Sequence, residues 1–208
     1  MKYLTYILLM LFLLSCSKEG MIKVKTINKV TGTPMPKVTI YVVEQFSNND
    51  PNETVFIGET NNNGDLVIDI KFKRNGKYTI TQAQVENSCW HSDKSLSLEK
   101  TKNQNVIFEF APCAQLKLKI ENVNCEGAGD NFKLYYEGRQ VGGQGDNIVG
   151  AQMRDEDGCY SFESTSFSNV PMGERYYRWE VTRNGVTEEF HDTIYLEEGE
   201  QKVYEILY

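Results

Sequence analysis

Polar and apolar residues alternate at period two in many short runs along this chain. Ile22-Lys23-Val24-Lys25-Thr26, Val38-Thr39-Ile40-Tyr41-Val42 and Leu116-Lys117-Leu118-Lys119-Ile120 are the clearest. Successive side chains of a strand point to opposite faces, so this pattern predicts strands buried on one side. No apolar stripe of helical period is long enough to predict a helix. Turn signals recur at short intervals, among them Asn63-Gly64, Asn75-Gly76 and Asn184-Gly185. Asn-Gly favours the positive φ angles of a type I′ hairpin turn. In the first half, strands are predicted near 22–28, 38–44, 54–60, 65–70, 77–85, 95–99 and 105–110.

The pattern occurs twice. IKVKTINKVTGTPMPKVTIYV is echoed by LKLKIENVNCEGAGDNFKLYY, ETNNNGDLVIDI by QMRDEDGCYSFES, and LSLEKTKNQNVIFEF by IYLEEGEQKVYEILY. Gly64 matches Gly158 and Leu98 matches Leu196, so order and spacing persist along the chain. The expectation is a tandem repeat of two domains, 21–112 and 113–208, joined at a short linker near residues 111–114. About seven alternating strands in each half are best closed as two packed antiparallel sheets, giving an all-β chain of two Ig-like or prealbumin-like sandwiches.

The first residues do not fit this pattern. Tyr6 to Leu14 reads YILLMLFLL after the basic Lys2. A spanning helix needs about 20 apolar residues, so this run predicts the core of a signal peptide spanning 1–15. It ends in Leu13-Leu14-Ser15-Cys16, which resembles the lipobox of bacterial lipoproteins. That resemblance implies that Cys16 is acylated, that residues 16–20 form a short tether, and that a membrane is a partner through the lipid. Each buried methylene contributes about 0.8 kcal/mol, so two or three acyl chains hold a protein firmly. The implied location is the cell envelope, at the outer membrane, with either face open. Ser17-Lys18-Glu19 resembles a surface-export tag with one acidic residue.

A second resemblance concerns the first half. Val30-Thr31-Gly32-Thr33-Pro34-Met35-Pro36, Thr60, Gly64 and Gly76-Lys77-Tyr78-Thr79-Ile80 resemble the carboxypeptidase regulatory-like (prealbumin-like) sandwich family. Lys37 departs from it, standing where the family usually has Gly or Ala. The second half keeps only Asp157-Gly158-Cys159-Tyr160-Ser161-Phe162 of that pattern. The resemblance implies a sandwich fold and an accessory, non-catalytic role.

Charge divides the halves. From Ser17 to Pro112 there are 12 basic and 11 acidic residues; from Cys113 to Tyr208 there are 9 and 18. The second half, at net −9 (9 minus 18), would repel nucleic acid. The whole chain of 208 residues has a formal charge of −7 and 2 His.

Candidate chemistry is sparse. With Cys16 assigned to lipid, Cys89, Cys113, Cys125 and Cys159 allow three disulfide pairings. Cys89–Cys113 and Cys125–Cys159 are favoured, since each keeps its loop local. Neither His91 nor His191 has the spacing to a Glu that supplies two zinc ligands together, and no G-x-S-x-G elbow is present. His191-Asp192 is a poor relay because neighbours on a strand face opposite ways. Asp155-Glu156-Asp157-Gly158 lacks the rest of a calcium loop, and its counterpart Asn61-Asn62-Asn63-Gly64 has no carboxylate, so a Gly-requiring turn explains both. Residues 138–150, GRQVGGQGDNIVG, form a candidate binding loop. Tyr135, Tyr136 and Trp179 are the candidate partner-binding aromatics, with alternation expected to bury one member of each adjacent pair. The sequence therefore predicts a non-enzymatic, lipid-anchored envelope protein acting as a binding or structural module, without cofactor or metal. The alternative is a lipid-anchored carbohydrate-binding protein using the second-half aromatics. An unknown protein or glycan is the expected partner, docking on the second half.

Overall fold

The computed structural model describes residues 18–45, 52–92, 95–100, 102–138 and 151–208. Among them there are fifteen strands and no helix. These are β1 (Lys18–Asn28), β2 (Thr39–Gln45), β3 (Glu53–Glu59), β4 (Asp65–Phe72), β5 (Lys77–Gln82), β6 (Ser88–His91), β7 (Ser95–Leu98), β8 (Gln104–Glu121), β9 (Asn131–Gly138), β10 (Ala151–Asp157), β11 (Ser161–Glu163), β12 (Ser168–Pro171), β13 (Gly173–Arg183), β14 (Val186–Leu196) and β15 (Gln201–Leu207). The all-β expectation holds.

The strands form two compact units. In the first, β4, β1 and the start of β8 make one sheet, and β3-β2-β5-β7 the other. Ile22 and Val24 of β1, Ile68, Ile70 and Phe72 of β4, and Val106 and Phe108 of β8 are buried. They meet Ile40 and Val42 of β2, Tyr78 and Ile80 of β5, and Leu98 of β7. Phe72 and Tyr78, one from each sheet, pack edge to face at 4.9 Å. Period-two alternation thus delivers one face of β1, β2, β4, β5 and the start of β8 to a shared core, as the sequence predicted, whereas β3 has no buried residue.

The second unit repeats the layout. The rest of β8 lies between β11 and β15, and the second sheet runs β10-β9-β13-β14. β15 pairs with β8 in parallel. In the first half, Met21 bonds to Asn103 and Lys29 to Phe110. Contacts that advance together in this way make β1 and β8 parallel as well. Each repeat is therefore closed by its first and last strands. The core joins Phe132 and Leu134 of β9, Tyr177 and Val181 of β13, and Tyr204, Ile206 and Tyr208 at the C-terminus. Phe132 stacks on Tyr208 at 4.4 Å and Tyr177 on Tyr204 at 4.7 Å.

Three details differ from the sequence expectation. β6 was not foreseen, and its residues belong to the second unit together with residues 28–32. Residues 111–114, read as a linker, lie inside β8. Pro112 lacks an N–H, but a register shift between Ser88 and Trp90 absorbs the missing bond, and the Pro112 carbonyl accepts from the Met172 amide at 2.8 Å. Finally, only Asn184-Gly185 is a type I′ turn, with φ of 51° and 79°. It joins β13 and β14, which pair with each other. Asn63-Gly64 and Asn75-Gly76 connect strands of different sheets, so no hairpin geometry is required of them.

Thr26 ties Met35, Thr60 and Gly64 into one latch. The Thr26 hydroxyl donates to the Met35 carbonyl, and the Thr60 hydroxyl lies 3.2 Å from it while accepting from the Val38 amide at 3.0 Å. The Thr26 amide donates to the Gly64 carbonyl at 2.8 Å. Thr26 and Thr60 are buried, and these bonds satisfy their polar atoms. Lys37 has φ of 59°, a left-handed conformation that glycine adopts without strain.

Candidate functional site

Cys16 lies outside the described residues, as do residues 139–150 of the candidate loop. The four remaining cysteines pair Cys89 with Cys113 and Cys125 with Cys159, with Cα atoms 4.9 and 5.3 Å apart. Both separations are ordinary for disulfides. Because Cys89 sits on β6, its bond to Cys113 falls within the second unit.

Alternation along β13 sorts the aromatic candidates. Arg175, Tyr177, Trp179 and Val181 face the core side, whereas Tyr176, Arg178, Glu180 and Thr182 face outward. The same rule splits β9. Tyr136 packs at the edge of the core, 5.5 Å from Tyr177, with the Arg175 guanidinium 4.4 Å over its ring. Tyr135 points the other way. Trp179 is partly buried and stacks on Phe190 of β14 at 5.7 Å. Of the three predicted aromatics, Tyr135 alone lies on the outer face of the sheet.

That face is assembled by register across three strands. Arg178 pairs with Tyr135 on one side and with His191 on the other. Its guanidinium lies 3.8 Å over the Tyr135 ring and binds Glu180 and Glu189, the latter at 2.7 Å. Nε2 of His191 lies 2.8 Å from Glu189, and Nδ1 shares a hydrogen bond with the Tyr176 hydroxyl. The Tyr176 and His191 rings are also stacked, 5.6 Å apart. Arg178 and then His191 hold the Glu189 carboxyl below its ordinary range by bonding to its charged form. Next along the face, the Asn131 amide donates to Asp155 at 3.0 Å and to Asp157 at 2.9 Å. That bond, aided by Lys133, lowers the Asp155 pKa. These two aspartates are thus occupied by an amide, and no cluster of three metal-ligating side chains occurs among the described residues.

The sequence reading missed Arg178 and Glu189, counted Tyr176 only among the second-half aromatics, and weighed His191 only as a zinc ligand or as a relay with Asp192. A signal was present: a two-residue turn at Asn184-Gly185 pairs Arg183 with Val186, which places Arg178 opposite His191.

The series Tyr176, His191, Glu189 has the connectivity of an acid–base relay. It lies on the outer face of the sheet, where His191 and Glu189 are both exposed. His191 and Asp192 point opposite ways, as expected; Asp192 accepts from the Tyr204 hydroxyl at 2.9 Å. A cleft of about 340 Å³ occurs in the first unit, lined by Glu19, Gly20, Met21, Asp69, Ile70, Lys71 and Asn103, with Lys71 paired to Glu19 at 3.3 Å. The outer face offers flat rings, a guanidinium and hydrogen-bonding groups, which suits stacking and polar contacts to a partner.

No family model matches the chain, and no curated protein matches it. Among solved structures, it is similar to the Bacillus anthracis TIE protein, with 14% identity over 92% of this chain and a TM-score of 0.39. The chain spans about a third, 34%, of that protein. It is also similar to the shaft pilin SpaA of Lactobacillus rhamnosus GG, with 12% identity, coverage of 92% and 97%, and a TM-score of 0.36. For GBS52, the minor pilin of Streptococcus agalactiae, the values are 14%, 90% and 94%, and 0.35. At these identities and scores, none of them assigns a family.

Proposed function

We infer that this chain is a non-enzymatic binding module of the cell envelope, tethered through lipid on Cys16 at the outer membrane, with the outer face of β10-β9-β13-β14 as its contact surface. The observation that carries this reading is the Tyr135–Arg178–His191–Tyr176 array on the outer face of the sheet. Two disulfides support an oxidising compartment, which agrees with the leader and lipobox. A carbohydrate ligand is the second reading, favoured by the Tyr135 and Tyr176 rings, which can stack on sugars while Arg178 and Glu180 bind hydroxyls.

Two experiments test the proposal. Cys16→Ser is expected to move the protein from the membrane to the soluble fraction; retention after a salt wash refutes the anchor. A photo-crosslinker at Tyr135 or Tyr176 is expected to capture a partner in intact cells, whereas one at Val67, an exposed position of β4, is not. Equal capture at Val67, or none at Tyr135 and Tyr176, refutes the assignment of the face. A glycan array probed with Tyr135→Ala separates the carbohydrate reading from a protein partner.

A further inference from the structure

Strand β14 ends its sheet: it pairs with β13 over its whole length, and no described strand pairs with its other side. An open edge presents a row of main-chain N–H and C=O groups. In a two-residue hairpin the residues flanking the loop exchange main-chain hydrogen bonds, and pairing then alternates. Starting from Arg183 and Val186, this turns the main-chain groups of Glu188, Phe190 and Asp192 toward β13. It turns those of Thr187, Glu189 and His191 outward. Further along, the edge is capped by the chain itself. The Thr193 amide donates to the Asp192 carboxylate at 2.8 Å, and Lys202 donates to the Tyr195 carbonyl at 2.7 Å. Residues 186–192 remain, about 20 Å of exposed edge at strand rise.

The side chains around this stretch indicate what it accepts. Of the seven residues 186–192, three are acidic (Glu188, Glu189, Asp192) and none is Lys or Arg; Glu189 is paired with Arg178, and Glu188 and Asp192 lie on the other side of the strand. A second copy of β14 would set Glu188 and Glu189 against their own kind, and like charges placed opposite each other destabilise a strand pair. Val186 and Phe190 lie on one side of the strand, both exposed, with Phe190 backed by Trp179. An incoming strand therefore meets an apolar site on one side and carboxylates on both.

We propose that residues 186–192 of β14 accept an extended, basic segment of a partner protein by strand addition, with main-chain bonds at Thr187, Glu189 and His191. Strand addition takes affinity from the main chain and specificity from alternate side chains. The proposal rests on the binding-module reading and specifies the partner's form.

The test uses the purified full chain and three labelled ten-residue peptides followed by fluorescence anisotropy. One alternates Lys and Val, one alternates Glu and Val, and the third is the Lys/Val sequence N-methylated at alternate residues. Saturable binding of the first alone is expected. Thr187→Pro removes one outward N–H at an edge, where proline is tolerated, and weakens binding about tenfold. E188K/E189K weakens it further. If the methylated peptide binds as well as the unmethylated one, or no peptide binds, the proposal is overturned. The methylated peptide decides the question even where Thr187→Pro misfolds. Crosslinking at Tyr135 separates the two readings: capture there without peptide binding removes strand addition alone, whereas peptide binding with a silent Tyr135 removes the outer face.

Discussion

Gly64→Ala is expected to be among the most damaging single-methyl changes in the protein, and its repeat partner supplies the control. Gly64 has φ of 73°, where an L side chain costs about 1–2 kcal/mol. A Cβ there would lie 2.4 Å from the Thr26 carbonyl oxygen and 3.1 Å from its hydroxyl. The oxygen cannot simply retreat, since it accepts from the Met35 amide at 3.0 Å while the Thr26 amide donates to Gly64. Relieving the overlap loosens at least two buried hydrogen bonds, each contributing about 1 kcal/mol. The total is a loss of about 3–4 kcal/mol. Gly158 has φ of 74°, but the nearest heavy atom to its Cβ would be Cα of Ala128 at 3.9 Å. Gly158→Ala should therefore cost only the conformational part, about 1–2 kcal/mol. Guanidinium unfolding followed by far-UV circular dichroism gives both numbers, and hydrogen exchange of the β1–β4 ladder localises the first. If the two variants fall within about 1 kcal/mol of each other, the close contact at Gly64 is not what restricts the site.

Lys37→Gly should stabilise the chain by about 0.5–1 kcal/mol, because glycine adopts φ of 59° without strain; a lower melting temperature would refute this. Lys73 lies 2.9 Å from Glu44, whose side chain is fully buried, so Lys73→Ala removes that pairing and should lower the midpoint of chemical unfolding. An unchanged midpoint would show that the pair is neutral. Stability of the second unit should fall as pH rises above about 10, the unfolded tyrosine value. Burial pushes the Tyr208 hydroxyl up to about 12 and raises Tyr204, which also donates to Asp192. The unfolded chain therefore loses these protons first, and the stabilisation is complete below pH 10 and gone above the folded values. Thermal scans between pH 8 and 12 check it, and a flat profile would contradict the burial of these rings.

Several features were legible from local pattern alone. The alternation in 22–26 and 116–120 specifies one buried face per strand, because side-chain direction in a strand follows from backbone geometry. The repeat required the two halves to share a strand order, and β3-β2-β5-β7 and β10-β9-β13-β14 do share one. The favoured cysteine pairs are the pairs formed. Asn184-Gly185 even carried the register that sets Arg178 beside His191.

Other features depended on which strands become neighbours. Period two states that Tyr135 and Tyr136 face opposite ways, but the second sheet decides which of them meets a core. Trp179 turns inward for the same reason, so a residue chosen for its chemistry serves packing at the core edge. The outer array draws on Tyr135 and on residues about forty to fifty-five positions later, brought together by the β9–β13 register. β6 joins the second unit through a bulged pairing around Pro112, against the local preference of proline to end a strand. Sequence determined which faces each strand possesses, because that is a property of the chain's own geometry. Tertiary structure decided what each face meets, because pairing and burial are contracts between segments that no local pattern contains.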